Sequence, residues 1–270
     1  MNVVDIFAGI GGISLGLERT GMKTIAFCEI GRMQQKVLRK HWSDVPIFPD
    51  ATKVEEIYEK LKDKQIDLIA GGDPCPIRSR AKGARKTKHP DLSGYFLALV
   101  GLVRPRWVLR ENVPAPDNRD FTAALELLGY RTVIIRSNAA AYTAQNRTRD
   151  FIVGCNSVRE FQCFYFLLVR KSGKRVSTPG LKNKAWYPCL TTRRYDPRNG
   201  LIWDHKRRQL RIADKEERRR LSGFPPGWTD GLSETTCARL YGNTVVPAQV
   251  EEIGRLIMES EKKGGLDVRL

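Results

Sequence analysis

The chain has little with which to hold a metal. Its six cysteines form no Cys-x-x-Cys pair and only three histidines are present, so the ligand sets of structural zinc are missing and no metal is expected. No apolar run approaches the roughly 20 residues that a membrane-spanning helix needs, and no internal repeat or low-complexity tract is visible. Acids are also scarce: 30 Asp plus Glu stand against 47 Lys plus Arg, a net charge of +17. That imbalance favours a polyanionic partner, with a merely solvated basic surface as the bland alternative. Met1 leads almost directly into Val3-Val4-Asp5-Ile6-Phe7. No signal-peptide region precedes that strand, so the cysteines are read as reduced and the protein as intracellular.

What is present is alternation. At 270 residues the chain suits one large α/β domain with a smaller appendage. Strand patterns at Val3 to Phe7, Thr24 to Cys28, Ile66 to Ala70, around Trp107, at Tyr130 to Ile135 and at Phe151 to Gly154 alternate with helical patterns. This predicts a doubly wound, mostly parallel sheet. After Gly154 the rhythm breaks: an aromatic run from Phe161 to Leu168 leads into Lys-, Arg-, Gly- and Pro-rich sequence, read as a small loop-rich second domain. Pro247 to about Lys262 carries Val250, Ile253, Ile257 and Met258 at helical spacing, so this helix should dock an apolar face.

Two places offer chemistry. Asp5-Ile6-Phe7-Ala8-Gly9-Ile10-Gly11-Gly12 is a strand followed by a glycine turn into a helix, which lets a ligand approach the backbone. Ser14 stands where a dinucleotide fingerprint wants a third glycine, so NAD is disfavoured. Glu29, closing the second strand, is placed to accept bonds from a ribose diol, and Asp50, closing the third, could meet an adenine amino group. The other place is Pro74-Cys75, after an apolar run ending in Gly71-Gly72, with Glu111-Asn112-Val113 closing the neighbouring Trp107 strand. A thiol and a carboxylic acid then share one cleft.

With these pieces in order, the chain resembles the cytosine-5 DNA methyltransferases nearly from end to end. The resemblance rests on the Phe7 to Gly12 turn, Pro74-Cys75, Glu111-Asn112-Val113, Gln145-Asn146-Arg147-Thr148-Arg149, Arg220-Leu221-Ser222-Gly223-Phe224-Pro225 and Gly242-Asn243-Thr244-Val245-Val246-Pro247. It implies a Rossmann-like catalytic domain of residues 1–154 plus 240–270, and a small target-recognition domain, 155–239. It implies S-adenosylmethionine as cofactor, S-adenosylhomocysteine as product, and a cofactor site of Asp5, Phe7, Gly9, Gly11, Gly12, Glu29, Ile30, Asp50, Pro74, Asn243 and Val245. Catalysis would fall to Cys75, adding to carbon 6 of a flipped cytosine, to Glu111 at N3, to Arg149 at O2 and less directly to Arg147.

The partner implied is double-stranded DNA, bound by a monomer in the cytoplasm or on the nucleoid, with a cognate restriction endonuclease as an option. Arg78, Ser79, Arg80, Arg85, Lys86 and Lys88 follow the thiol without an intervening acid and are read as a loop closing on the DNA backbone. Arg193 and Arg194, with Lys171, mix with Trp186 and Tyr195 as a groove-reading surface would. Where the family has Pro-Pro-Cys-Gln, this chain has Asp73-Pro74-Cys75-Pro76, and Asp73 is expected to raise the thiol pKa by like-charge repulsion. A tRNA cytosine methyltransferase of the same fold, a silent nucleic-acid-binding relative and a small-molecule methyltransferase remain as alternatives.

Overall fold

A computed structural model describes residues 1–74, 91–172, 188–192 and 201–264. In chain order these form β1 (Asn2–Ile6), α1 (Gly12–Glu18), β2 (Lys23–Cys28), α2 (Arg32–His41), β3 (Ile47–Phe48), α3 (Val54–Leu61), β4 (Leu68–Gly71) and α4 (Ser93–Val103). Next come β5 (Trp107–Asn112), α5 (Asn118–Leu127), β6 (Arg131–Asn138), a short 3-10 turn (Ala139–Ala141), β7 (Thr148–Cys155) and α6 (Val158–Ser172). The remainder holds β8 (Leu201–Asp204), β9 (Gln209–Ile212), α7 (Lys215–Leu221), α8 (Glu234–Asn243) and α9 (Pro247–Gly264).

The first seven strands make one sheet in the order β3-β2-β1-β4-β5-β7-β6. All neighbours are parallel except β7, which runs antiparallel to both β5 and β6. The strand order reverses between β1 and β4, the crevice where open α/β sheets bind ligands. Strands covered on both faces must be apolar at every position, and all four residues of β4 are buried. One face packs Leu68, Trp107, Leu109 and Phe151 against α1, α6 and α9. The other packs Ile69, Val108 and Ile152 against α3, α4 and α5.

One element differs from expectation. The aromatic run is not part of a loop-rich unit: it lies in α6, and Phe164 and Leu167 enter the sheet core beside α9. Tyr165, Phe166 and Val169 remain exposed on its outer side. Lys171, expected at a nucleic-acid surface, pairs with Glu252 of α9 at 2.7 Å. As anticipated, α9 docks back on the sheet domain, and the contact with α1 is close: a Cβ on Gly16 would come within 2.5 Å of the Pro247 carbonyl oxygen.

Beyond α6, β8 and β9 form a separate antiparallel ribbon. Asp214 and Glu217 cap α7 reciprocally, so the amides of both residues are satisfied at that helix end. Phe224, Trp228, Leu240 and Tyr241 share an apolar cluster with Leu190 and with Ile10 and Val37 of the sheet domain. Among the described residues no helix is long and apolar enough to cross a membrane.

Candidate active site

The glycine turn bends sharply: Phe7, Gly9 and Gly11 all take positive φ, 56°, 57° and 80°. Such strain in the non-glycine Phe7 is of the kind that collects at ligand sites. A side chain added to Gly9 would meet only open space, whereas one on Gly12 would strike Thr244 and Val245 at under 3.0 Å. The turn is therefore open on one side and sealed on the other by the loop after α8. Asn243, the last residue of α8, is exposed there, and Val245 is buried.

Glu29 directly follows β2 and points into this turn. Its two carboxylate oxygens accept the Gly9 amide at 2.8 Å and the Gly31 amide at 2.7 Å. Burial raises its pKa, against the pull of those amides. Each oxygen retains acceptor capacity, which suits a pair of hydroxyls. The adjacent Ile30 is 76% exposed, an apolar surface at the rim where a flat ring could lie. Asp50, two residues past β3, accepts both the amide and the hydroxyl of Thr52, and these bonds lower its pKa. Asp5 sits elsewhere, fully buried beneath the turn. Its Oδ2 accepts the Ser14 amide and hydroxyl, capping α1 from the neighbouring strand, while Oδ1 finds no partner. Burial pushes its pKa up to about 7 despite the Ser14 bonds.

At the adjoining strand ends, Glu111 of β5 and Arg149 of β7 lie on the same sheet face. Arg149 Nε is 2.8 Å from Glu111 Oε1, an ionic contact not aligned as a hydrogen bond. Gly72 makes room for this acid, since a Cβ there would lie 3.0 Å from Glu111 Oε2. Pro74 is exposed beside it. Cys75, Arg78, Ser79, Arg80, Arg85, Lys86, Lys88, Arg193 and Arg194 lie outside the described residues.

Arg147 is not at the open site. It is 3% exposed, and its Nη1 donates to the Gly242 carbonyl at 3.2 Å and to Cys189 Sγ at 3.5 Å. Burial, then repulsion from Arg149, pushes its pKa down to about 10. Gln145 is buried too, donating to the Leu221 carbonyl and accepting the Leu190 amide. This segment thus ties the carboxyl ends of α7 and α8 to the Cys189-Leu190 stretch, a role that its motif alone does not reveal.

The expected repulsion from Asp73 is also altered, because its carboxylate is held by a buried partner. Arg110 donates Nε to Oδ1 and Nη2 to Oδ2, the latter at 2.8 Å, so its negative charge is locally cancelled. An arginine inside the apolar strand Trp107-Val108-Leu109-Arg110 was the available signal, since a buried guanidinium demands a partner.

The chain is similar to known proteins in both sequence and fold. The chain is 37% identical over 121 residues to the Type II methyltransferase M2.BsuMI of Bacillus subtilis, covering 42% of this chain and 29% of that protein. It is 36% identical over 169 residues to the Type II methyltransferase M.HindV of Haemophilus influenzae, covering 60% of this chain and 55% of that protein. The matched stretch thus spans about half of the second relative and less of the first. In fold, it superposes on a DNMT2 of Spodoptera frugiperda with a TM-score of 0.71 at 15% identity, over 95% of this chain and 99% of that one. Residues 1–184 match the family model for C-5 cytosine-specific DNA methylases. With more than half its length under that model, the chain belongs to the C-5 cytosine-specific DNA methylase family.

Proposed function

We propose that this protein transfers a methyl group from S-adenosylmethionine to carbon 5 of a cytosine flipped out of duplex DNA. The observation that carries the reading is the Glu111–Arg149 pair, 2.8 Å apart, at the carboxyl edge of β5 and one strand beyond β4, which itself flanks the glycine turn of β1. A cofactor of this kind fits the donors present: Gly9 leaves backbone open to a ligand, Glu29 offers acceptors to the ribose hydroxyls, Ile30 an apolar surface to adenine, and Asp50 an acceptor to its amino group. When bound, it would supply an electrophilic sulfonium methyl.

The chain's own residues would do the rest. Cys75, placed by sequence directly after Pro74, is the proposed nucleophile; its thiolate adds to carbon 6 of the ring. That bond pushes electron density onto N3 and O2. Glu111 meets the charge at N3 by hydrogen bonding or proton donation, and Arg149 meets it at O2. Carbon 5 thereby becomes nucleophilic enough to take up a methyl group. A water-derived base then removes the carbon 5 proton and the ring expels the Cys75 thiolate. The catalytic unit of this reading runs through α6, because that helix shares the sheet core with α9. Described parts of the reader are the Pro188 to Thr192 segment, β8, β9 and α7.

Tritiated methyl transfer to duplex DNA and to tRNA at matched salt tests the assignment. Transfer to DNA is expected; activity confined to tRNA would overturn the substrate. Cys75→Ser should abolish transfer and keep DNA binding, and a 5-fluorocytosine duplex should trap the native protein covalently. Glu111→Gln should cost about 10²-fold in rate with cofactor affinity nearly unchanged.

A further inference from the structure

On the face of the sheet opposite Glu111 lies a chain of charged and polar side chains, buried except for Arg136 at its end, that the reaction does not use. Asp73, just past β4, and Arg110, on β5, form a two-point ion pair whose side chains are 4% and 1% exposed. Arg110 Nη1 also donates to Asn118 Oδ1 at 3.3 Å, and its guanidinium lies 4.2 Å from the centre of the Phe121 ring. Asn118, at the start of α5, donates to Asp150 Oδ2 at 3.1 Å and to the Val113 carbonyl at 3.0 Å. Asp150, on β7, is held in turn by Arg136 of β6 at 2.8 and 3.0 Å. Asn112, opposite Asp150 in the strand register, reaches towards Asp73 Oδ2 at 3.5 Å.

Burying two ions gains little stability, since desolvation offsets most of their attraction and apolar replacements often do as well. What a two-point guanidinium–carboxylate pair does add is direction. Here it ties the residue before Pro74 to the residue before Glu111, and Asn118 extends the tie to the strand that carries Arg149. We propose that Asp73 and Arg110 are positioning residues: from the rear of the sheet they fix where the chain leaves β4 relative to the Glu111–Arg149 pair. This rests on the methyltransferase reading above.

The test compares Asp73→Asn, Arg110→Met and the double variant Asp73→Leu/Arg110→Met. The single changes each strand a buried polar partner, and either protein can simply fail to fold. The double change removes both charges together and is the deciding variant. Its thermal midpoint and S-adenosylmethionine affinity should stay near those of the unaltered protein. Its single-turnover methylation of duplex DNA should nevertheless fall between about 10- and 100-fold, the cost of a small misplacement of reacting groups, with KM for DNA within about threefold. Amide hydrogen exchange at Gly72, Asn112 and Val113 should accelerate in this variant, while that at Ile69 and Val108 should not. A double variant with undiminished rate and unchanged exchange would overturn the proposal, and so would uniform loosening of the whole sheet. Were the unaltered protein to methylate no DNA, the functional reading would fall, and the exchange pattern would still decide the positioning role.

Discussion

Arg147 and Arg149 stand two residues apart, and their surroundings divide their work. Arg149 faces Glu111 at the open strand ends, whereas Arg147 is sealed between Gly242 and Cys189. Arg149→Met should therefore depress the rate with the unfolding midpoint nearly unchanged. Arg147→Met should lower stability by about 1–3 kcal/mol, since it strands the buried Gly242 carbonyl; denaturant titration of the two variants checks the contrast. Asp5 makes a prediction about pH. Its folded pKa of about 7 lies above its ordinary value of 3.8, so between these values the folded state holds a proton that the unfolded state has released. Stability from this group is present below about pH 4 and lost as pH rises towards about 7, by a few kcal/mol in all. Asp5→Asn should flatten the stability profile between about pH 4 and 7, and an unaltered slope in that window would count against this burial effect.

Among the elements, α9 anchors the loop that walls the glycine turn, and α6 packs beside it in the sheet core. The approach of α1 to α9 depends on Gly16, where any Cβ would press on the Pro247 backbone. Gly16→Ala should force the helices apart and cost about 1–3 kcal/mol. It should also weaken S-adenosylmethionine binding, because Thr244 and Val245 would move away from Gly12; isothermal titration and thermal unfolding on the same sample would show both. α6 was illegible as a helix because Phe161-Gln162-Cys163-Phe164-Tyr165-Phe166-Leu167-Leu168 has apolar groups on every side. Period analysis needs a polar face to contrast with. The apolar residues of α9 recur at helical spacing between polar ones, and its extent was legible.

Across the whole molecule, an excess of 17 positive charges predicts that phosphate contacts supply most of the affinity for DNA. The tip of the β8–β9 ribbon presents Lys206, Arg207 and Arg208 to solvent, with the chain turned there by Asp204, which accepts the Lys206 and Arg207 amides. Asp204 is itself braced through Arg211 to Glu217 of α7. Neutralising the three tip residues together should reduce the slope of log affinity against log salt by up to about three phosphate equivalents. The preferred sequence should persist, since backbone contacts carry little base information. Filter binding across a salt series would detect an unchanged slope, which would remove this ribbon from the DNA surface.

The order of strands and helices as far as β7, the glycine turn, and the acids at strand ends were determined by the sequence alone. Each depends on neighbours within a few residues: a period of two or 3.6, a glycine where φ must be positive, a carboxylate where a strand stops. What only the tertiary structure decided are contacts across long separations. Nothing local pairs Asp73 with Arg110, 37 residues on, or sets Arg147 against Gly242, 95 residues away. Those partners meet because β4, β5 and β7 become neighbours in one sheet and α9 returns to cover it. Removal from water then makes each buried charge need the partner it has.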